Sequence, residues 1–215
     1  MPRPPKPTPP TVVHLVRHGQ TPTTGSVLPG RAKGLNLAEQ GHTQAEAVGE
    51  RLAGLKSVDA VYASPLERTR QTATPIAKRR GLKVVVERGL LECDFGDWTG
   101  RNLKDLMKLP EWSTVQRYPS GFRFPGGESF AEMSTRITGA IAKLVALHPG
   151  GTVVAVSHAD PIKAAVAAAL GTHLDLFQRI VISPCSVTTI AYGSVGPTVL
   201  TVNSMTGDLS QPAPS

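Results

Sequence analysis

Aromatic residues are scarce in this chain, at 5% of its 215 residues, and they do not interleave with its positive charge. A net charge of +7 suits nucleic acid only where aromatic stacking platforms accompany the basic residues, and here Lys and Arg are scattered. Steering of small phosphorylated anions explains the charge equally well. Long apolar runs are missing as well: none reaches the roughly 18 residues that a bilayer span requires. The N-terminus is basic but lacks the continuous apolar segment of a secretory leader, so the expectation is a cytoplasmic protein that engages neither membrane nor nucleic acid. Cysteine is limited to Cys93 and Cys185, without zinc-ligand spacing. Both are expected to be reduced, with Cys93 a small packing residue. Also missing are a His-Glu-x-x-His pair, an aspartate-rich cluster and a Gly-rich phosphate loop with its lysine. No metal and no cofactor is therefore expected.

Proline, by contrast, is concentrated. Pro2-Arg3-Pro4-Pro5-Lys6-Pro7-Thr8-Pro9-Pro10 cannot donate a regular ladder of backbone hydrogen bonds, which predicts an extended, solvated tail over residues 1–11. Residues 12–206 read as one domain, since a chain of this length buries roughly 70% of its unfolded surface in a single core. Residues 207–215 read as a flexible C-terminal tail. Short β-rich runs at Val12 to Val16, Ala60 to Ala63, Lys83 to Glu87, Thr152 to Ser157, Val187 to Tyr192 and Thr198 to Asn203 alternate with helical segments. Those segments cover Glu39 to Leu55, Leu66 to Arg80, Ser129 to Leu147 and Pro161 to Leu170, and the pattern predicts a helix-covered α/β sheet. Pro75 should kink or end the second helix, Lys78-Arg79-Arg80 before Gly81 reads as its C-terminus, and Ser129-Phe130-Ala131-Glu132 has the form of a capping box. From Gly89 to Gly127 the periodicity is weak, which predicts an irregular region above the sheet, where substrate choice is usually set.

The chemistry concentrates at the end of the first apolar run. Arg17-His18-Gly19 follows Val12 to Val16 and puts an imidazole beside a guanidinium where a strand stops. In an open α/β sheet the ligand crevice lies beyond the carboxyl ends of the parallel strands. His158 follows the run from Thr152 in the same way, so the two histidines meet if those strands are neighbours. Phosphoryl transfer needs cationic positioning above all, and a guanidinium offers paired donors in a fixed plane. An imidazole with an ordinary pKa near 6.5 is mostly neutral at pH 7. One ring nitrogen can then attack phosphorus while the other keeps its proton on a backbone acceptor.

Leu15-Val16-Arg17-His18-Gly19-Gln20-Thr21 resembles the signature of the histidine phosphatase superfamily, also called the phosphoglycerate-mutase-like family. Three later segments match in the family's order: Ser64-Pro65-Leu66-Glu67-Arg68-Thr69-Arg70-Gln71-Thr72-Ala73, then Leu91-Glu92-Cys93-Asp94-Phe95-Gly96-Asp97-Trp98-Thr99-Gly100, then Val156-Ser157-His158-Ala159. The match runs from about Val12 to Asn203. It implies a three-layer α/β/α sandwich around a mostly parallel sheet, metal-free chemistry and a small phosphorylated substrate. It also implies that His18 is the nucleophile, that Arg17 and Arg68 clamp the phosphate, and that His158 is a cationic or hydrogen-bonding partner. Glu92 matches the residue that protonates the leaving oxygen and activates water. From the residues alone, Arg17 equally suits a sheet-edge salt bridge and Arg68 a helix-surface charge. Asp94, Asp97 and Asp160 compete with Glu92, Asp160 foremost because it lies two residues past His158. Glu128 recurs in the family near the pocket, though a charge complementing a helix dipole accounts for it. His14, His42, His148 and His173 match no motif. Two positions depart from the family pattern. Thr24 stands where asparagine often helps hold phosphate, and its hydroxyl has a shorter reach. Ala159 stands where glycine is common, leaving a backbone amide to donate beside a methyl that narrows the approach.

The reading is a phosphomonoesterase acting on a small phosphorylated metabolite through a phosphohistidine. Mutases of the family carry Glu-Arg-x-Tyr-Gly after the acid and a later arginine pair for the substrate carboxylate. Here Glu92-Cys93-Asp94-Phe95-Gly96 and the separated Arg117 and Arg123 stand instead, which favours hydrolysis over phosphoglycerate mutase-type transfer. A protein-phosphohistidine or α-ribazole-type phosphatase is a further alternative. A non-catalytic phosphate-binding scaffold is disfavoured because both His18 and Glu92 are present.

Overall fold

A computed structural model describes residues 9–207 and 209, and residues 1–8 of the tail expected over 1–11 lie outside it. Six β-rich runs become one sheet. Its strands are β1 (Thr11–Arg17), β2 (Ala60–Ala63), β3 (Val84–Val86), β4 (Thr152–Ser157), β5 (Val187–Gly193) and β6 (Gly196–Ser204), in spatial order β3-β2-β4-β1-β5-β6. Between β3 and β1 all neighbours run parallel, whereas β5 is antiparallel to β1 and to β6. The helices are α1 (Glu39–Ala53), α2 (Glu67–Arg79), the short α3 (Leu103–Leu106) and α4 (Glu111–Arg117), α5 (Phe130–Leu147) and α6 (Ala159–Ala169).

Alternation along the strands divides the core in two. Val13, Leu15, Val153, Ala155 and Ile190 point to one face, where Met133, Ile137, Ile141 and Leu144 of α5 and Ile162 of α6 cover them. Val16, Val61, Ala63, Val154 and Val156 point to the other, under Ala45, Val48 and Leu52 of α1 and Ala73 and Ile76 of α2. This period-two sorting of a buried sheet makes the three layers. The irregular segment after β3 joins the first core through Phe95, Trp98, Phe122 and Phe124, which meet Phe130 at the start of α5. It is a packed aromatic cluster rather than a loose loop.

Several sequence expectations shift on contact with these elements. Thr11, assigned to the tail, is the first residue of β1; it is buried and its hydroxyl donates to the His148 carbonyl at 2.8 Å. At the other end Leu209 is buried among the residues under α1 and α2, and Arg51 donates to the Gly207 carbonyl; residues 208 and 210–215 lie outside the described ones. Pro75 does not end α2, which runs on to Arg79. The turn after it is held from outside: Gly49 of α1 lets the two helices approach so closely that a Cβ there would sit 3.3 Å from the Pro75 carbonyl carbon. Helix α6 starts at Ala159 rather than Pro161, with His158 as its extended N-cap residue and Pro161 inside the first turn, where a missing N–H costs nothing. Ser129 and Glu132 form the reciprocal capping box.

Two helical glycines carry opposite expectations. At Gly41, in the first turn of α1, a Cβ would lie 2.0 Å from the Gln20 carbonyl oxygen, so the glycine lets α1 press against the loop after β1. At Gly139, exposed within α5, nothing lies within 4 Å of the added Cβ. Gly41→Ala should destabilise by about 1–3 kcal/mol through forced backbone displacement. Gly139→Ala should stabilise by roughly 0.5–1 kcal/mol through helix propensity. Thermal unfolding of the two variants checks the signs, with about 2–4 °C per kcal/mol for a chain of this size.

Candidate active site

β1 and β4 are adjacent, with Arg17 paired to Ser157, so the next residue on each strand places His18 beside His158. Their ring centroids are 5.2 Å apart at 62°, and the His18 amide donates to the Ser157 carbonyl at 3.0 Å. β4 also neighbours β2, whose end leads through Ser64-Pro65-Leu66 into α2 and delivers Arg68. β3, next to β2, leads into the loop that carries Glu92. Four parallel strand ends thus deliver side chains to one crevice, the place where open α/β sheets bind ligands.

His18 is 5% exposed, and its Nδ1 lies 2.7 Å from the Gly19 carbonyl oxygen. A carbonyl only accepts, so Nδ1 carries the proton and Nε2 keeps its lone pair. Burial first, then the positive charges of Arg68 and Arg17, press the imidazole pKa down to about 3, which keeps the ring neutral across the physiological range. The Gly19 amide donates to Thr72 Oγ1 on α2 at 3.0 Å, fastening the turn that presents the ring.

Around His18 stand cationic and polar donors. Arg17 donates from Nη1 to the Ile182 carbonyl at 2.6 Å, and Arg68, fully buried, donates from Nη2 to the Gly30 carbonyl at 2.7 Å. Arg17 Nε, Arg68 Nε and Nη1, and His158 Nδ1 are buried without a hydrogen-bond partner among the described residues. Unpaired buried donors cost roughly 1–3 kcal/mol each, more when charged, so this group is poised for an anionic acceptor. Burial lowers the pKa of both guanidiniums, and the negative charge of Glu92 is the strongest influence opposing it at each. Neither arginine takes the alternative role weighed from sequence: Arg17 makes no salt bridge among the described residues, and Arg68 is interior rather than on the helix surface. His158 Nε2 shares a 2.8 Å hydrogen bond with Ser64 Oγ, and burial followed by the Arg68 charge holds its pKa well below the usual value.

Glu92 is 7% exposed, with Oε1 accepting from the Cys93 amide at 2.9 Å. Burial first and the negative charge of Asp160 second push its pKa up to about 7, against the pull of Arg68 and Arg17. A carboxyl poised there can both give and take a proton at neutral pH. Asp160, the strongest competitor, pairs with Lys163 at 3.1 Å. Asp94 pairs with Arg31 at 3.3 Å on the rim.

Thr24 Oγ1 accepts from the Thr21 amide at 2.8 Å and lies 3.0 Å from Thr21 Oγ1, which makes it a fastener of the loop after His18. Ala159 is the first residue of α6, whose N-terminus no side chain caps, so its amide is one of the helix's unpaired first-turn donors. His14 bonds Thr189, His148 bonds Tyr62 and His173 caps Asp175, which gives three of the unassigned histidines structural work. Cys93 and Cys185 are both free and buried.

An imidazole with a fixed tautomer thus stands with the half-buried Arg17, the buried Arg68 and a second histidine at parallel strand ends. The histidine phosphatase superfamily (branch 1) model matches residues 13–205. The chain belongs to this superfamily. It is 36% identical over 168 residues to phosphoserine phosphatase 1 of Hydrogenobacter thermophilus, covering 76% of this chain and 78% of that one. A relative from Cronobacter sakazakii that carries a phosphoglycerate mutase name is 33% identical, with 84% of each chain covered. Among solved structures, a histidine-to-alanine mutant of Entamoeba histolytica phosphoserine phosphatase in complex with phosphoserine superposes with a TM-score of 0.81 at 26% identity, covering 91% of this chain and 98% of that one. The chain spans 55% of the length of some other curated relatives. The fold is that of the phosphoglycerate-mutase-like histidine phosphatases, an α/β architecture with helices on both faces of a mostly parallel sheet.

Sequence reading passed over several residues that build this superfamily site. Ser64 and Thr72 lie inside a quoted motif yet carry no charge to attract notice; they bond His158 and the Gly19 amide. Arg31 and Arg136 lie outside every motif, and both donate to the Glu92 carbonyl oxygen, at 2.9 and 3.2 Å. Glu128, explained from sequence by a helix dipole, instead pairs with both of those arginines at 2.9 Å.

Proposed function

We propose that the protein is a phosphomonoesterase that hydrolyses a small phosphorylated metabolite in the cytoplasm, in two steps through a phosphohistidine on His18. The observation that carries this reading is the Nδ1 bond to the Gly19 carbonyl, which leaves Nε2 as a neutral nucleophile beside Arg17 and Arg68, whose buried guanidinium nitrogens lack partners among the described residues. In the first step the Nε2 lone pair attacks phosphorus, the P–O bond to the alcohol breaks, and Glu92 passes its proton to the departing oxygen. Arg17, Arg68 and His158 Nδ1 hold the non-bridging oxygens, with the Ala159 amide beside them, while Thr24 acts by fixing the loop. In the second step Glu92, now a carboxylate, takes a proton from water, the resulting oxygen attacks phosphorus and the P–N bond breaks. His18 returns neutral, and phosphate leaves.

Bound phosphate itself favours this sequence. A dianion between Arg17 and Arg68 offsets the charges that suppress His18, so the imidazolium formed as phosphorus is attacked becomes less costly. Among the described residues no group of three or more His, Cys, Asp or Glu side chains could hold a metal ion, and no helix is long and apolar enough to cross a membrane.

Mutase transfer uses the same nucleophile but needs cations for a substrate carboxylate. Arg123 is exposed and paired with Glu132, and Arg117 is exposed at the end of α4, so neither is committed to such a clamp. Incubation with 3-phosphoglycerate and with other small phosphomonoesters, with and without 2,3-bisphosphoglycerate and EDTA, tests the reading. Free phosphate should be the main product, and chelation should leave the rate unchanged. Conversion to 2-phosphoglycerate faster than phosphate release would establish the mutase instead.

A further inference from the structure

Glu92 sits in an irregular loop, yet its job demands placement within a hydrogen bond of the leaving oxygen. The loop's own secondary structure cannot supply that precision, because only a single 3-10 turn, Arg88–Leu90, precedes it. Two guanidiniums supply it from outside. Arg136, on α5, donates from Nη1 to the carbonyls of Gly89 and Leu91 at 2.9 and 2.8 Å and from Nη2 to that of Glu92 at 3.2 Å. Arg31, in the loop after β1, donates from Nε to the same Glu92 carbonyl at 2.9 Å.

Both guanidiniums converge on one carboxylate. Glu128 Oε2 accepts from Arg31 Nη2 and Arg136 Nη2, each at 2.9 Å, and Oε1 accepts from Arg136 Nε at 2.9 Å. The Asp94 amide also donates to Glu128 Oε2 at 3.2 Å, so the carboxylate grips the acid loop two residues past Glu92 as well. Its side chain is 13% exposed, and its pKa is lowered because the bonds from Arg136 and the arginine charges outweigh burial. The residue before Arg31 is Gly30, whose carbonyl receives Arg68 Nη2 at 2.7 Å. The phosphate clamp and the acid loop are therefore fastened to the same short segment.

We infer that Glu128, with Arg31 and Arg136, is the positioning assembly of the general acid: it holds the Glu92 backbone in register with the phosphate clamp while touching neither substrate nor reacting atoms. The inference rests on Glu92 being the acid. Glu128→Gln keeps the side chain's size but removes the charge that draws the two arginines together, so the Glu92 loop loses its fixed geometry. A displacement of about 1 Å at a catalytic group costs on the order of 10²-fold in rate.

The test compares kcat/KM on an alkyl ester, glycerol 3-phosphate, whose leaving oxygen needs the acid, with p-nitrophenyl phosphate, whose leaving group needs it little. Glu128→Gln should lose about 10²-fold on the first and less than about fivefold on the second. Competitive inhibition by inorganic phosphate should change by less than about twofold, because Arg17 and Arg68 keep their places. Arg31→Gln, a change at a partly exposed site, should show the same selectivity with a smaller loss, about tenfold, and carries the test if Glu128→Gln fails to fold. Equal losses on the two esters, or no loss on either, would overturn the inference. Glu92→Gln run alongside separates the two ideas: if it is alkyl-selective and Glu128→Gln is not, the positioning assembly is wrong and the acid stands. If Glu92→Gln shows no selectivity, the acid itself is wrong.

Discussion

His18→Ala should lower turnover by at least about 10⁴-fold while leaving phosphate binding largely in place. The reason is the division of labour in the crevice. In the proposed mechanism the nucleophile is one nitrogen, Nε2 of His18, whereas the anion is assigned to Arg17, Arg68 and His158, which the substitution leaves untouched. The ring is neutral at pH 7 and its Nδ1 bonds the carbonyl of the adjacent Gly19 rather than a distant element, so the variant should remain folded. Steady-state rates on several phosphomonoesters, with thermal shift by inorganic phosphate as the binding control, check both halves. Residual activity above roughly 1% of wild type would be incompatible with an obligatory phosphohistidine.

Glu92→Gln is the second large effect, and its diagnostic is selectivity. General acids contribute about 10²–10⁴-fold when the leaving group is a basic alkoxide and far less when it is a phenolate. Measured as kcat/KM, which reports the steps through formation of the phosphoenzyme, the loss should reach that range on alkyl phosphates and stay below about tenfold on aryl phosphates. Comparing kcat alone would hide this, because phosphoenzyme hydrolysis is common to all substrates and also uses Glu92. The pH profile gives a second signature. The acid must be protonated to act, and with a pKa pushed up to about 7 its protonated fraction falls as pH rises through neutrality. Wild-type activity on alkyl phosphates should therefore decline above about pH 7, and the variant should lack that limb. Equal losses on both ester types would move the acid role to Asp160, whose charge already acts on Glu92.

Much of this molecule is legible in local sequence because its sheet is buried on both faces. Val153 to Val156 are all fully buried, and such a run reads as an interior strand without any knowledge of its partners. Adjacency of β1 and β4 is not local information, yet the two histidines at matching strand ends required it, and Arg17 does pair with Ser157. Helix ends marked by special chemistry were also readable: Gly81 has φ +63° just past α2, and Ser129 caps α5 through Glu132. Of the two outcomes expected at Pro75, a kink or an end, the end does not occur, because propensity argues about an isolated helix whereas α2 packs closely against α1 there.

The residues that hold the Glu92 loop were invisible for a different reason. Arg31 and Arg136 reach Glu92 across 61 and 44 positions of sequence, and nothing in their neighbours distinguishes them from solvated arginines. The segment from Gly89 to Gly127 lacks periodicity because it is built on contacts among Phe95, Trp98, Phe122 and Phe124, not on a regular face. Thr24 was read by its place in a motif, but its hydroxyl is engaged by Thr21. Residue type and spacing single out the groups proposed to meet phosphate far more readily than the groups that hold them still.

Everything in the proposed chemistry turns on a covalent intermediate at one particular nitrogen. Rapid quenching of wild type during turnover, followed by peptide mapping under alkaline conditions, should find a single acid-labile, base-stable phosphoryl group on His18, attached at Nε2. The isomer is fixed by the structure, because Nδ1 holds its proton on the Gly19 carbonyl at 2.7 Å. Labelling of the same rate and extent in His18→Ala, or phosphate carried on Nδ1 of His18 or on His158, would contradict the account.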